Sequence, residues 1–379
     1  MEFIDLKRQY HAYREEVDQA VFRVIHSCRF ILGEEVSLLE KELAHFTGAE
    51  YAVGVGSGTD ALLMALMASG AGPGCEVITT PFTFIATAEV IALLGARPVF
   101  VDIDPHSFNM DVEKLGGLLE ERSRRGRLPA GIIPVSLYGL CSDMDEINAL
   151  ASEFGLFVIE DACQSLGAAY KGSMSCSLTQ MAAASFFPSK PLGCFGDGGM
   201  IFTAEAETAK RLFALREHGQ IARYRHEFLG INGRLDALQA SVLRVKLRHF
   251  PDEIRARRKA AACYSKLLEP FNEHVVVPAI PEGYESVFAQ YTVRIRGGVR
   301  DEIARFLNDK KIPTAIHYPM PLHLQRAFSY LGYEQGDFPE AEKACHEVLS
   351  LPMHAFLEKS EQEEVVDALG KALKNLKKI

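Results

Sequence analysis

Short apolar runs alternate with longer amphipathic segments through the middle of the chain. Between Gly48 and Thr203, each apolar run leads into a turn rich in Gly, Pro or Asp and then into a segment with helical spacing of apolar residues. This alternation predicts βαβ units around a mostly parallel sheet, and uninterrupted apolar runs suit strands that helices cover on both faces. The predicted strands are 52–55, 77–79, 98–101, 132–135, 156–159, 183–187 and 200–202. The predicted helices between them are 60–69, 84–94, 111–122, 143–153 and 205–217.

Helices are also predicted on both sides of this central region. Apolar positions recur at helical intervals before and after it, and one apolar run beyond the break at Pro278 is a further strand candidate. The predicted flanking helices are 7–28, 34–46, 234–268, 301–309 and 341–349, and the further strand is 289–295. We therefore expect a large α/β domain with N-terminal helices over residues 1–245 and a small α+β domain over residues 246–379.

Composition and charge exclude several classes of protein. The 379 residues include 41 Lys and Arg against 50 Asp and Glu, and no segment is dense in basic residues, so nucleic acid is not an expected partner. The first residues lack the pattern of a signal peptide, and no apolar run approaches a membrane span, so we expect a cytoplasmic protein without a membrane partner. The 8 cysteines contain no C-x-x-C pair, which argues against a disulfide framework and against a bound metal.

The first segment with candidate chemistry follows the first predicted strand. It reads Gly54-Val-Gly-Ser-Gly-Thr and ends where a helix is predicted to begin. The hydroxyls of Ser57 and Thr59 and the backbone N–H groups around Gly58 can converge there on a phosphate. The alternative is that Ser57 only caps the helix, because serine is favoured at that position with or without a ligand. The glycine spacing fits neither a dinucleotide fingerprint nor a P-loop.

The second segment ends a predicted buried strand with Glu160 and Asp161. The carboxyl edge of an open α/β sheet is where ligands bind, and a carboxylate placed there requires a cation or several hydrogen-bond donors. Asp161 could meet such a ligand, or it could cap the following turn. The sequence leaves these two roles open.

The third segment places a single lysine between two prolines. Lys190 follows an apolar strand and precedes a glycine cluster, and Pro188 and Pro191 restrict the backbone on either side of it. An amine held inside a pocket in this way can act as a nucleophile toward carbonyl groups. An anion cradle, a carboxylate and a pocket lysine are together the parts that pyridoxal 5'-phosphate requires.

Extended motifs resemble those of the DegT/DnrJ/EryC1/StrS family of sugar aminotransferases, and the resemblance covers essentially the whole chain. The motifs are Gly56-Ser-Gly-Thr-Asp-Ala-Leu, Thr80-Pro-Phe-Thr-Phe-Ile-Ala-Thr, Glu160-Asp-Ala-Cys-Gln-Ser-Leu-Gly-Ala, Ser185-Phe-Phe-Pro-Ser-Lys, Asn232-Gly-Arg-Leu-Asp and His317-Tyr-Pro-Met-Pro-Leu-His. This resemblance implies the type I, aspartate aminotransferase-like fold, with a mostly parallel seven-stranded sheet domain and a smaller α+β domain.

The resemblance also implies roles for individual residues. Lys190 would bind pyridoxal 5'-phosphate covalently as an aldimine and later move a proton as general acid and base. Asp161 would pair with the pyridine nitrogen of the cofactor. Further cofactor contacts would come from Gln164 near the phenolic oxygen, from Ser57, Gly58, Thr59 and Ser185 at the phosphate, from Phe84 rather than Phe82 stacking on the ring, and from Asn232 of a partner subunit in a homodimer.

The implied reaction transfers an amino group from L-glutamate to a ketone on a nucleotide-linked sugar. Some family members replace the lysine with histidine and become dehydratases, whereas this chain keeps Lys190. Its variants of the motifs look most like the branch that aminates UDP-linked 3-keto-N-acetylhexuronates for O-antigen synthesis, and a 4-keto-6-deoxy sugar is the alternative. Arg234 could clamp a carboxylate, or it could pair with Asp236 or with solvent. His317 and Tyr318 could line the sugar side of the pocket or form a turn.

Two readings from other functional classes compete with this one. Asp102 and Asp104 follow a predicted strand and resemble the D-x-D pair with which glycosyltransferases hold a metal and a nucleotide sugar, although two carboxylates at the end of a strand are common. A regulatory DNA-binding protein would need a basic recognition helix, and the sequence has no such segment.

Overall fold

The computed structural model describes residues 1–376 and contains helices and strands in alternation. The helices are α1 (Leu6–Ser27), α2 (Glu34–Thr47), α3 (Gly58–Ala68), α4 (Ala86–Leu93), α5 (Val112–Arg124), α6 (Met144–Phe154), α7 (Ala206–Leu215), α8 (Ala237–Leu268), α9 (Arg300–Asp309), α10 (Pro339–Glu347) and α11 (Lys359–Leu376). The strands are β1 (Tyr51–Val55), β2 (Glu76–Thr79), β3 (Arg97–Phe100), β4 (Gly131–Ile132), β5 (Phe157–Asp161), β6 (Ala169–Tyr170), β7 (Ser173–Met174), β8 (Met181–Ser185), β9 (Gly199–Thr203), β10 (Gln220–Ala222), β11 (Arg225–His226), β12 (Val275–Val276), β13 (Tyr284–Glu285), β14 (Tyr291–Ile295) and β15 (Val348–Leu351).

A seven-stranded sheet forms the centre of the large domain. Its strand order is β1-β9-β8-β5-β4-β2-β3, and only β9 runs antiparallel to its neighbours. Neighbouring residues of β8 enter different cores, because Ala182 and Ala184 pack with α2 and α8 while Ala183 packs with α3 and α7. The sheet is therefore covered on both faces, as the uninterrupted apolar runs predict. The predicted fold class is confirmed.

The small domain contains a second sheet, of strand order β12-β14-β15, packed against α9 and α11. The prediction of a helix over 341–349 is wrong at its end, because Val348–Leu351 forms β15 and pairs with β14. The segment 348–351 is short and apolar, so it can be a strand or the end of a helix, and only the packing of the domain selects one. Helix α11 was not predicted, although its buried residues recur at helical spacing over 18 residues.

Helix α8 connects the two domains. Leu243 and Phe250 in its first half belong to the core of the large domain, whereas Ala261 and Tyr264 in its second half belong to the core of the small domain. The expected boundary at 245/246 lies within this helix and stays a prediction. The last residues of the expected small domain, 377–379, lie outside the described residues.

The other predicted elements are present with shifts at their ends, whereas the short strands β6, β7, β10, β11, β12 and β13 were not predicted. At β4, the observed strand is Gly131–Ile132 in place of the predicted 132–135. Pro134 has no N–H group for a ladder, and the chain returns to the sheet at a single bridge between Val135 and Asp161. Within residues 1–376, no helix combines the length and the apolar character that crossing a membrane requires.

Candidate active site

A cavity of about 490 Å³ opens at the carboxyl edge of the large sheet. The strands β1, β5 and β8 all end there, and the segments that follow them supply most of its wall. The predicted site residues that line it are Ser57, Gly58, Thr59, Phe84, Asp161, Gln164, Ser185, Lys190, His317 and Tyr318. The topology therefore gathers in one cavity residues that are as much as 261 positions apart in the chain, from 57 to 318.

The N-terminus of α3 forms one end of the cavity. Ser57 is the N-cap, and its Oγ accepts a hydrogen bond of 3.0 Å from the backbone N–H of Asp60. Gly58 lies against β8 so closely that a Cβ there would stand 2.7 Å from the Cβ of Ser185. Glycine thus lets the first helical turn approach the end of β8, and the positive end of the helix faces the cavity. The capping role of Ser57 is observed, and its contact with a phosphate stays a prediction.

Asp161 is buried, with 5% of its surface exposed, and borders the cavity from the end of β5. Its Oδ2 accepts a hydrogen bond of 2.7 Å from the hydroxyl of Thr87, and its Oδ1 accepts one of 3.2 Å from the backbone N–H of Cys163. The carboxylate therefore caps the turn that follows it and still faces the cavity. Sequence reasoning missed Thr87, although its position in the Thr80-Pro-Phe-Thr-Phe-Ile-Ala-Thr motif was a signal.

Gln164 connects three parts of the wall. Its Oε1 accepts a hydrogen bond of 2.8 Å from the backbone N–H of Tyr138, and its Nε2 donates to the hydroxyl of Tyr318 at 3.2 Å. Burial and the nearby Asp161 carboxylate raise the pKa of Tyr318, so this phenol stays protonated at neutral pH. The wall is held rigidly in place by these bonds.

Lys190 reaches the cavity from the segment after β8. Its backbone N–H donates to the carbonyl of Phe187 at 2.8 Å, which closes a turn around Pro188. The side chain is half-buried and lines the cavity. Among residues 1–376, no carboxylate lies within ion-pair distance of its amine.

The two phenylalanines of the connection between β2 and α4 have separate environments. Phe84 is 56% exposed and lines the cavity, whereas Phe82 is fully buried and packs near Phe108 and Tyr138. The preference for Phe84 as the ring that stacks on a cofactor is consistent with this placement. The stacking itself stays a prediction.

Two predicted site residues do not line this cavity. Asn232 is exposed, and its backbone pairs with Glu217 at an isolated bridge. Arg234 is half-buried, and its Nε is buried without a hydrogen-bond partner among the described residues. Arg234 forms no ion pair with Asp236 within residues 1–376, so that alternative of the sequence analysis is not supported.

Asp102 and Asp104 are used within the fold. The two carboxylate oxygens of Asp102 accept hydrogen bonds from Lys114 and from the backbone N–H groups of Glu340 and Ala341, while Asp104 accepts from the turn that follows it. The described part of the chain contains no group of three or more His, Cys, Asp or Glu side chains arranged to hold a metal. These bonds give both carboxylates a role within the fold, so the structure does not favour the D-x-D interpretation.

Comparison with known proteins gives the family. The DegT/DnrJ/EryC1/StrS aminotransferase family model matches residues 11–370. The chain belongs to this family. It is therefore an aminotransferase, as the motifs predict.

Individual relatives extend the match over nearly the whole chain. The UDP-2-acetamido-2-deoxy-3-oxo-D-glucuronate aminotransferase of Pseudomonas aeruginosa is 47% identical over 97% of this chain and 99% of its own length. The pleiotropic regulatory protein of Geobacillus stearothermophilus is 46% identical over 97% of both chains. A crystal structure of a DegT DnrJ EryC1 StrS aminotransferase from Brucella abortus has a TM-score of 0.93 and 42% identity, and the match covers 98% of this chain and 99% of that one.

Proposed function

We propose that this aminotransferase binds pyridoxal 5'-phosphate in the 490 Å³ cavity and transfers an amino group from L-glutamate to a keto carbon of a nucleotide-linked sugar. The observation that carries the proposal is that Lys190 and Asp161 border one cavity whose far end is the N-terminus of α3. A nucleophilic amine, a carboxylate and an anion-binding helix end are the groups that this cofactor needs.

The donor set fits the cofactor from end to end. The phosphate would meet Ser57, Gly58, Thr59 and Ser185, where the helix end favours negative charge. Asp161 would face the protonated ring nitrogen, since a buried carboxylate that borders a cavity is stabilised by a cation. The remaining contacts would be Gln164 at the phenolic oxygen, Phe84 on the face of the ring and Lys190 at the aldehyde carbon.

Lys190 and Asp161 would have different roles in the reaction. When bound, the cofactor supplies an electron-withdrawing ring that lowers the barrier to removing a proton from the carbon that bears the amino group. Lys190 would hold and move that proton as general base and general acid. Asp161, oriented by Thr87 and the N–H of Cys163, would keep the positive charge at the ring nitrogen in place.

The active site would be shared between the two subunits of a homodimer. Asn232 is exposed and lies outside its own chain's cavity, which suits a residue that contacts the phosphate in a partner subunit. Exposed apolar side chains also occur in the segments that contain Lys190 and Asn232: Phe187 is 52% exposed, Phe195 46% and Leu229 92%. A second copy of the chain would remove such side chains from water.

The substrate we propose is a UDP-linked 3-keto-N-acetylhexuronate, in a cytoplasmic step of O-antigen sugar synthesis. The likeness to the Pseudomonas aeruginosa relative supports this choice. The hexuronate has a carboxylate, and Arg234 has a guanidinium nitrogen without a partner among the described residues, so Arg234 would clamp the substrate or the L-glutamate donor. His317 and Tyr318 would line the sugar side of the cavity. A 4-keto-6-deoxy sugar is the competing substrate.

Two experiments test the proposal. Borohydride reduction of the cofactor-loaded protein, followed by peptide mass mapping, should show the modification on Lys190. Lys190→Arg, which keeps the charge but cannot form the covalent bond, should remove both this modification and the activity, while the surface variant Lys171→Ala should keep both. Modification of another lysine, or activity in Lys190→Arg, would contradict the assignment.

The second experiment identifies the sugar. The aminated cofactor form is prepared with L-glutamate, and its return to the aldehyde form is followed spectroscopically with 3-keto and 4-keto nucleotide sugars. We expect the UDP-linked 3-keto hexuronate to react fastest. A faster reaction with 4-keto-6-deoxy sugars would select the competing substrate, and no reaction with any nucleotide sugar would overturn the proposed function.

A further inference from the structure

A lysine on helix α8 is buried although the fold places no carboxylate beside it. Lys246 is 2% exposed, and within residues 1–376 no carboxylate lies within ion-pair distance of its amine. Burial lowers the pKa of Lys246 to about 8, and the negative charge of Glu253 only partly offsets this shift. The amine is therefore still mostly charged at neutral pH, and keeping that charge away from water costs free energy.

The amine of Lys246 contacts the loop that carries Lys190. Its Nζ donates a hydrogen bond of 2.7 Å to the backbone carbonyl of Gly193, and it lies 4.7 Å from the centre of the Phe195 ring. A charged donor makes a stronger hydrogen bond than a neutral one, and the face of an aromatic ring attracts a cation. Within residues 1–376, the carbonyl of Gly193 accepts from no other donor. The buried charge is thus used on residues that follow Lys190 in the same loop.

This loop is closed on itself. The backbone N–H of Cys194 donates to the carbonyl of Phe186 at 2.8 Å, which joins the two ends of the loop. Gly193 is packed so tightly that a Cβ there would stand 2.5 Å from the carbonyl oxygen of Pro188. The backbone at Gly193 therefore lies directly against the start of the loop, and a bond that holds Gly193 holds both sides of Lys190.

A second side chain of α8 supports the same loop. The Oε1 of Gln239 accepts a hydrogen bond of 2.8 Å from the backbone N–H of Phe195, and its Nε2 donates to the carbonyl of Phe195 at 3.4 Å. Gln239 and Lys246 are seven positions apart, which is about two helical turns, so they lie on the same face of α8. The loop is thus held at two points, by one neutral and one charged side chain.

We propose that Lys246 is a positioning residue of the active site: through the Gly193 carbonyl it fixes the loop that carries Lys190 and so directs the Lys190 amine into the cavity. The catalytic consequence rests on the proposed function of Lys190, whereas the ordering of the loop does not. Lys246 does not line the cavity, so it acts only through the loop. Fixing the loop matters because a displacement of about 1 Å in a reacting group can cost about 100-fold in rate.

A purely structural role predicts a different response to substitution. Lys246→Met keeps an unbranched apolar side chain and removes both the charge and the donor. The protein gains because a desolvated charge is gone, and it loses one hydrogen bond, so the urea midpoint should change little. The loop should nevertheless lose order, because the Gly193 carbonyl then has no donor. A stable protein with a more mobile Lys190 loop is the combination that a positioning role predicts.

The order of the loop is measured by hydrogen–deuterium exchange of the holoenzyme, followed by mass spectrometry of the peptide that contains the Lys190 amide. In Lys246→Met we expect this peptide to exchange at least about 10-fold faster and the rest of the chain to exchange as in the wild type. Gln239→Leu should have the same effect on this peptide to a smaller extent, because Lys246 still holds Gly193. Unchanged exchange in Lys246→Met would overturn the proposal, and so would a large loss of stability, which would assign the amine to the fold.

The matched control is Val245→Ala, on the neighbouring residue of α8. The Val245 side chain packs with Val17 and Ala20 of α1. This variant should lower the urea midpoint but leave the exchange of the Lys190 peptide and kcat unchanged. An effect of Val245→Ala on that peptide equal to the effect of Lys246→Met would mean that the loop responds to any damage in α8, and it would overturn the specific role of Lys246.

The consequence for the reaction is measured with the amino donor under steady-state conditions. We expect Lys246→Met to lower kcat by about 10-fold to 100-fold, with KM for the donor within about threefold, because Lys246 contacts no ligand. A normal kcat in a variant whose loop exchanges faster would overturn the positioning role. If borohydride mapping assigns the reactive amine to another lysine, the proposed function fails, while the exchange result on the loop is unaffected.

Discussion

The carboxyl edge of the central sheet carries acidic residues after β3 and at the end of β5, and they differ in how many of their acceptor positions the fold uses. Asp102 and Asp104 follow β3 at the edge of the sheet, and each accepts at least three hydrogen bonds from the surrounding chain. Asp161, which ends β5 in the middle of the sheet, accepts among residues 1–376 only from Thr87 and from the N–H of Cys163, and it borders the large cavity. A carboxylate at this edge becomes a ligand-binding group only where the fold leaves it with unfilled acceptor positions.

The same contrast separates adjacent residues within β5. Glu160 is fully buried on the other side of the strand, where it accepts from the hydroxyls of Ser136 and Ser175 and from the N–H of Cys176. Burial raises the pKa of Glu160, and these three bonds partly offset that shift. Glu160 therefore joins three segments of the core, whereas Asp161 faces the cavity. Alternation along a strand, with a period of two residues, gives adjacent acids these different roles.

The largest expected effect concerns Asp161, the carboxylate that borders the cavity. Asp161→Asn removes the negative charge at the cavity, and we expect kcat to fall by about 100-fold to 1,000-fold because a neutral amide cannot stabilise a cation at the ring nitrogen. The free energy of unfolding of the cofactor-free protein should change by less than about 1 kcal/mol. Steady-state kinetics and urea unfolding measure the two quantities. A near-normal kcat in this variant would mean that Asp161 differs in no functional way from the acidic residues whose carboxylates are hydrogen-bonded within the fold.

Substitution of Asp102 should change the free energy of unfolding rather than kcat, because its carboxylate is hydrogen-bonded within the fold. Asp102→Asn turns an amide NH₂ toward donors that the carboxylate now satisfies, and we expect a loss of about 2 to 3 kcal/mol in the free energy of unfolding. Asp104→Asn is the matched control, because its hydrogen bonds all go to one oxygen, Oδ1, which the amide keeps. Both variants should retain kcat within about twofold at temperatures where they are folded. A large loss of kcat in folded Asp102→Asn would show that this pair contributes to the site.

A smaller effect is expected at Asn232, the residue proposed to contact the cofactor in a partner subunit. Asn232→Ala should weaken cofactor binding by about 10-fold, the cost of one hydrogen bond to a charged group. Mixed dimers of Asn232→Ala and Lys190→Ala chains contain one site with both residues intact and should recover activity, whereas Lys190→Ala dimers alone should have none. Gel filtration and activity assays of the mixtures measure this result. No recovery in verified mixed dimers would argue against a shared site.

The smallest effect concerns the pH dependence of stability. The pKa of His317 is lowered to about 4 in the folded protein from 6.5, so the unfolded chain takes up the proton first as the pH falls. The free energy of unfolding should therefore decrease between pH 6.5 and pH 4, and His317 should contribute about 1 kcal/mol to that decrease because its ring is only half-buried. Urea unfolding of His317→Gln across this range should give a flatter curve than the wild type. Parallel curves would contradict a neutral His317.

Local sequence patterns were sufficient for the central sheet and for four of the residues that line the cavity, whereas the other predicted lining residues came from the family resemblance. The strands of the large domain are short, apolar and separated by clear turn residues, so their existence and order along the chain follow from periodicity. Lys190 and Asp161 were identifiable because each follows or ends such a strand, where burying a charged side chain costs free energy unless a partner or ligand compensates for it. Thr87 was not identifiable in the same way, because burying a hydroxyl costs little free energy and threonine occurs in many contexts.

The sequence by itself determined that a parallel α/β sheet would form and that a lysine and a carboxylate would stand at its carboxyl edge. Hydrophobic periodicity and turn residues are local properties, and they carry this information directly. Only the tertiary structure decided which carboxylate faces the cavity, that Phe84 and not Phe82 reaches it, and which groups surround His317. These outcomes depend on which distant segments supply hydrogen bonds and which surfaces remain uncovered, and both quantities exist only once the elements have packed together.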